Sequence, residues 1–90
     1  MRRIIMLKKT ITIRLENGLE ARPVAMLVQI ASQYESVIYV EKGTARVNAK
    51  SIMGMMTLGM DAGEALTVIT DGADEAEAMD SIEKYLTDAK

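Results

Sequence analysis

Cysteine, histidine, tryptophan and phenylalanine are all missing from this 90-residue chain, and proline occurs once. Without cysteine there are no disulfides and no thiolate metal sites. Without histidine the commonest general base is gone, and so are triads built on imidazole. Apolar runs fall well short of the ~20 residues that a membrane span needs. The opening "MRRIIML" is too short for the apolar region of a signal peptide, roughly 7–15 residues, and polar "KKT" follows directly. A cytoplasmic protein with no membrane association is expected. Three tyrosines are the only aromatic residues, so the core must be aliphatic.

What the chain does contain suits one small domain. Nearly half of it is apolar (49%), enough to make disorder unlikely at this length. Methionine is abundant, at eight residues, and Met53, Met55, Met56 and Met60 crowd one stretch. The net charge of −2 conceals an asymmetry. Residues 1–50 hold nine Lys/Arg against four Asp/Glu, whereas residues 51–90 hold two against nine. The acids are read as the solvent face of a C-terminal helix, while Arg22, Arg46 and Lys50 stay open as anion-facing residues.

Periodicity supplies the elements. In "TITIRL", Ile11, Ile13 and Leu15 alternate with polar residues, as in a half-buried strand. From Ala21 the period becomes helical, with Val24, Leu27, Val28, Ala31 and Tyr34 on one stripe and Pro23 in the first turn. Met26 and Ile30 lie off that stripe, toward solvent. "SVIYVE" and "ARVN" read as a hairpin about the turn "KGT". "SIMGMMTLG" reads as a short helix capped by Ser51 and ended by Gly59. "ALTVIT" is a final strand with Leu66 and Val68 inward. The last twenty residues form an amphipathic helix that buries Met79, Ile82, Tyr85, Leu86 and Ala89. The order is β-α-β-β-α-β-α, an α+β domain whose helices cover one side of an antiparallel sheet.

Enzymatic constellations fail one by one. "DGADEAEAMD" has the wrong glycine and ligand spacing for an EF-hand, and "GMMTLGMDAG" lacks the Gly-Lys-Ser/Thr of a phosphate-binding loop. No metal, no cofactor and no catalytic residue is assigned. Direct nucleic-acid binding is not expected at a pI near 5.1. Two segments share a physical theme instead: Ala21 and Arg22 open one helix and Ser51 opens another, and helix N-termini attract anions. Phosphorylation of Ser51 would place about −2 charge at a cap that tolerates it.

At these residues a family becomes recognisable. "GLEARPVAMLVQIAS" resembles the active-site segment of HPr, the phosphocarrier of the bacterial sugar phosphotransferase system. "VNAKSIMGMMTLG" resembles its regulatory-serine segment, and "DGADEAEAM" the start of its last helix. The resemblance runs from about Lys8 to Thr87. It implies an HPr-like open-faced β-sandwich over 8–90, with sheet order 1-4-2-3 and three helices on one side. Residues 1–7 form an extension that is part of the first strand or leads into it.

The resemblance also implies roles. Glu20 stands where HPr has its phosphate-accepting histidine. Arg22 matches the arginine that stabilises the phosphate, and Ser51 the serine modified by HPr kinase/phosphorylase. Crh, the catabolite-repression branch, carries glutamine at the histidine position and keeps the serine. The resemblance therefore implies a regulatory, non-carrier protein. Phosphorylated on Ser51, it would act as corepressor for catabolite control protein A, a LacI-type repressor. Arg22, Ile52 and Met53 would line the docking patch, with Met56 left between patch and core.

Glu20 has three readings. It satisfies donors at the helix start, which is preferred; it imitates phosphohistidine; or it is an engineered replacement. Two other functions stand beside the first: a module that binds a metabolic enzyme without phosphorylation, and a phosphotransferase-system variant with residual phosphocarrier activity through Glu20. The chain is expected as a monomer or as a homodimer that exchanges its first strand.

Overall fold

The computed structural model describes residues 6–14, 21–59 and 63–87, with residues 21–23 described by backbone alone. Seven elements follow one another: β1 (Leu7–Thr12), α1 (Ala21–Ser32), β2 (Val37–Lys42), β3 (Ala45–Asn48), α2 (Ile52–Leu58), β4 (Ala65–Asp71) and α3 (Glu75–Thr87). The strands form one antiparallel sheet in the order β1-β4-β2-β3. The fold is the expected α+β one, an open-faced sandwich with three helices on one side of the sheet.

Alternation decides which face is covered. Ile11, Ile38, Val40, Leu66 and Val68 point under the helices, where they meet Val24, Leu27 and Ala31 of α1, Met55 and Leu58 of α2, and Ala78, Met79, Ile82 and Leu86 of α3. Burial of these aliphatic side chains is the main source of stability, at about 1.5–3 kcal/mol for each large one. The other face carries Thr10, Thr67, Glu41 and Arg46 in one row, by register. Arg46 lies 4.4 Å above the Tyr39 ring and 3.4 Å from the Glu41 carboxylate. It is therefore a sheet-face residue rather than an open anion contact.

Several expectations need adjusting. β1 starts three residues before "TITIRL": of the two placements open to the extension, Leu7 takes the one within the strand, in register with Thr70. Lys9 lies on the covered side of this edge strand, yet its stem reaches past the rim so that Nζ meets the Glu83 carboxylate at 2.8 Å. That polar pair hides the period-2 pattern from the sequence. Ile13 lies beyond the strand's end but is buried, held by Ile13 N–H to Glu64 O at 2.8 Å and Gly63 N–H to Ile13 O at 2.8 Å.

Ile30, placed toward solvent by period alone, is partly buried and packs on the core, whereas Met26 is exposed as expected. Tyr34 falls past the end of α1, and its hydroxyl bonds that of Ser81 on α3. The acids of α3 do not all face water. Glu75 is buried, its Oε1 accepting from Gly72 N–H at 3.0 Å. Leu15 and Ala89, read above as inward, lie outside the described residues.

Candidate functional site

Ser51 is presented by a turn that the end of β3 builds. Asn48 Oδ1 accepts from Lys50 N–H at 2.8 Å, and Asn48 O accepts from Ser51 N–H at 3.0 Å. An asparagine bonding two residues ahead is the mimic of a backbone turn that its short amide allows. Ala49, fully buried, donates its N–H to Ile38 O at 2.9 Å and so pins the turn to the sheet. The chain then enters α2 with Ser51 in an extended conformation (φ −106°, ψ 112°) and its Oγ accepting from Gly54 N–H at 3.2 Å. This is an N-cap, which satisfies one of the orphan donors at the helix start. Ser51 remains exposed.

The rest of α2 divides into two faces. Met55 and Leu58 are buried against the core. Ile52, Met53 and Met56 are 43%, 76% and 55% exposed, so all three, Met56 included, face solvent. Gly59 ends the helix in the left-handed region at φ 64°, where a side chain is disfavoured. Its carbonyl accepts from Lys42 Nζ at 2.7 Å, and the same ammonium lies 3.4 Å from the Glu64 carboxylate. Both ends of this two-turn helix are thus anchored to the sheet or its loops, and α2 packs on α1 and β3. A short helix would be marginal without such anchors.

Of the two cations other than Arg22 that the sequence left open, Lys50 also has a local use. Its Nζ donates to Tyr34 O, just past α1, at 2.7 Å. Glu20 lies outside the described residues, as does the side chain of Arg22, whose backbone belongs to the first turn of α1. The arrangement that emerges is an exposed serine hydroxyl beside an exposed apolar helix face. No group of three His, Cys, Asp or Glu able to hold a metal occurs among the described residues. No helix among them is long and apolar enough to cross a membrane.

Sequence reasoning missed the residues that hold this region in place. Asn48 had a readable signal, its spacing to Lys50. Asp74 had none. Its carboxylate accepts from the Ser36 hydroxyl, from Glu35 N–H at 2.9 Å and from Ser36 N–H at 3.0 Å, which ties the end of the α1–β2 loop to the start of α3. Those donors, the Ser36 hydroxyl foremost, hold the Asp74 carboxyl below its ordinary pKa against a partial desolvation that pushes upward. Burial raises the Tyr85 phenol.

Comparison with known proteins agrees with this geometry. Residues 7–88 match the family model described as the PTS HPr component phosphorylation site. The HPr-like protein Crh of Halalkalibacterium halodurans is 44% identical over 81 residues, covering 90% of this chain and 96% of that one. Among solved structures, the phosphocarrier protein HPr of Bacillus anthracis superposes with a TM-score of 0.88 at 42% identity, covering 90% of this chain and 96% of the other. Crh of Bacillus subtilis, solved as a domain-swapped, intertwined dimer, gives 0.75 at 39% identity, covering 93% and 97%.

Proposed function

The chain belongs to the HPr family, and on that premise we propose that it is a regulatory, non-carrier member of the Crh type, switched by phosphorylation of Ser51. The observation that carries this reading is the exposed Ser51 hydroxyl, held at the head of α2 beside exposed Ile52, Met53 and Met56.

A protein kinase reaches that oxygen without unfolding the domain. HPr kinase transfers the γ-phosphoryl group of ATP to Ser51 Oγ, releasing ADP and the hydroxyl proton. The chain has no histidine to act as base, so the kinase supplies one; the protein is a substrate and not an enzyme. The new group carries about −1.5 to −2 charge, and the first peptide N–H groups of α2 favour it by roughly 0.3–1 kcal/mol. Phosphate and apolar face then form one composite surface. The LacI-type repressor, catabolite control protein A, docks there in the cytoplasm, with Arg22 contributing a guanidinium to the phosphate.

Glu20 removes the alternative role of carrier. Phosphoryl transfer to a carboxylate yields an acyl phosphate rather than a phosphoimidazole, in a site whose family chemistry is that of histidine. Exchange of β1 between two copies is compatible with this reading, because β1 packs mainly on β4 and α3.

Incubation with HPr kinase and ATP, followed by mass spectrometry, tests the proposal. One phosphate is expected, on Ser51, and Ser51→Ala removes both the label and repressor binding. Stable phosphate elsewhere, with binding intact in Ser51→Ala, contradicts it. Capture of a metabolic enzyme by unmodified protein, unaffected by Ser51→Ala, supports the phosphorylation-independent module instead. A base-labile phosphate on Glu20 after treatment with phosphoenolpyruvate and the first phosphotransferase enzyme restores the carrier.

A further inference from the structure

Helix α2 sorts its methionines sharply. Met53 is 76% and Met56 55% exposed, while Met55, between them in the chain, is 1% exposed, and Met79 of α3 is 5% exposed. The chain has no cysteine, so no thiol competes for a two-electron oxidant. Thioether sulfur is oxidised to a polar sulfoxide, which cells reduce back enzymatically. A buried sulfur reacts only when its surroundings open.

We propose that Met53 and Met56 are a reversible oxidation site, and that their sulfoxides switch off docking to the α2 face. The second half rests on the repressor-binding reading given above. Hydrogen peroxide transfers one oxygen atom to each sulfur and leaves as water. A methionine sulfoxide reductase reverses the step, two thiols becoming a disulfide and the oxygen leaving as water. Both side chains point to solvent, so the added S=O groups disturb no core contact and the fold persists. In a complex the same groups would have to be desolvated against an apolar partner, and a polar group buried without a hydrogen bond is costly. The oxidant therefore acts on binding and not on stability. It acts independently of the phosphate, whose bond to Ser51 Oγ is untouched.

Peptide mapping after mild peroxide treatment decides the site. Sulfoxide is expected on Met53 and Met56 at least about tenfold faster than on Met55 and Met79, because the buried pair waits on local opening. Equal rates at all four positions would overturn the site. Binding decides the switch. Ser51-phosphorylated protein is compared before peroxide, after peroxide and after reductase, with circular dichroism confirming an unchanged fold. Affinity for the repressor is expected to fall by about tenfold or more and to return on reduction. Met53→Leu/Met56→Leu, inert to peroxide at these two positions, is read against its own affinity before treatment, which peroxide should leave unchanged. A fall as large as the parent's would place the effect at other exposed methionines, Met6 or Met26, and overturn the switch. If phosphoprotein binds equally well before and after peroxide, the switch is wrong while the docking surface stands. If it does not bind before peroxide, the docking reading is wrong and the switch falls with it, and the peptide map alone then decides the oxidation site.

Discussion

The ammonium of Lys50 donates to the main-chain carbonyl of Tyr34 at 2.7 Å, joining the residue before Ser51 to the chain just past the end of α1. The carbonyl at the end of a helix is an acceptor in need of a partner, and a lysine there also meets the favourable end of the helix dipole. The position of α2 relative to α1 thus depends in part on one side chain adjacent to the candidate switch.

Replacing that side chain measures the bond. Lys50→Met keeps most of the stem and removes the donor, and a loss of about 1 kcal/mol is expected for a partly exposed charged donor. Lys50→Arg should recover part of it. Urea unfolding of the three proteins reads the result, and an unchanged midpoint in Lys50→Met means the bond contributes nothing.

Ser51 separates capping from phosphorylation. Ser51→Ala should cost about 1 kcal/mol through the lost acceptor for Gly54 N–H, a fall in Tm of roughly 4–8 °C for a domain of this size. Ser51→Asp should retain most of the stability, since aspartate caps as well as serine does. It nonetheless offers no hydroxyl to a kinase. Equal thermal stability of all three would show that the cap does not support α2.

Gly72 faces a backbone. A Cβ added there would lie 2.7 Å from Ser36 Cα and 2.6 Å from Ser36 Oγ. Main chain cannot swing aside as a side-chain tip can, so Gly72→Ala should destabilise by about 1–3 kcal/mol. Thermal unfolding that leaves Gly72→Ala level with the parent would mean that the β2 and β4 ends separate easily.

Asp74 predicts an acid dependence. Its folded-state pKa is depressed, first by the Ser36 hydroxyl. Its contribution is therefore complete above the unfolded value of about 3.9, and it is lost as pH falls through the lower folded value. Asp74→Asn should flatten the acid limb of stability, read by urea unfolding between about pH 2 and 5. An acid limb identical to that of the parent would show that the carboxylate is not stabilised by its donors.

How much was legible depends on the range of the forces involved. Helix α2 was readable to its ends because a serine cap and a left-handed glycine act within a few residues of chain. The stripe of Val24, Leu27 and Ala31 was readable because period 3.6 survives in any amphipathic helix. The start of β1 was open between two placements, since Lys9 lies on the covered side only because Glu83, distant in sequence, waits at the rim. The burial of Glu75 was not readable, since it depends on Gly72 N–H being at hand. Met56 was undecided because alternate methionines on one short helix fit a core stripe or a solvent face equally well.

The sequence by itself determined the excluded chemistry, the kinds and order of the elements, and the serine that heads α2. Composition and local propensity suffice for those, since each involves neighbours in the chain. Only the tertiary structure decided which α2 methionines meet water, which cations are occupied by carbonyls and carboxylates, and how Asp74 holds the α1–β2 loop. Those outcomes depend on which surfaces meet once the sheet has formed, and burial is a property of the packed whole that no stretch of chain carries alone.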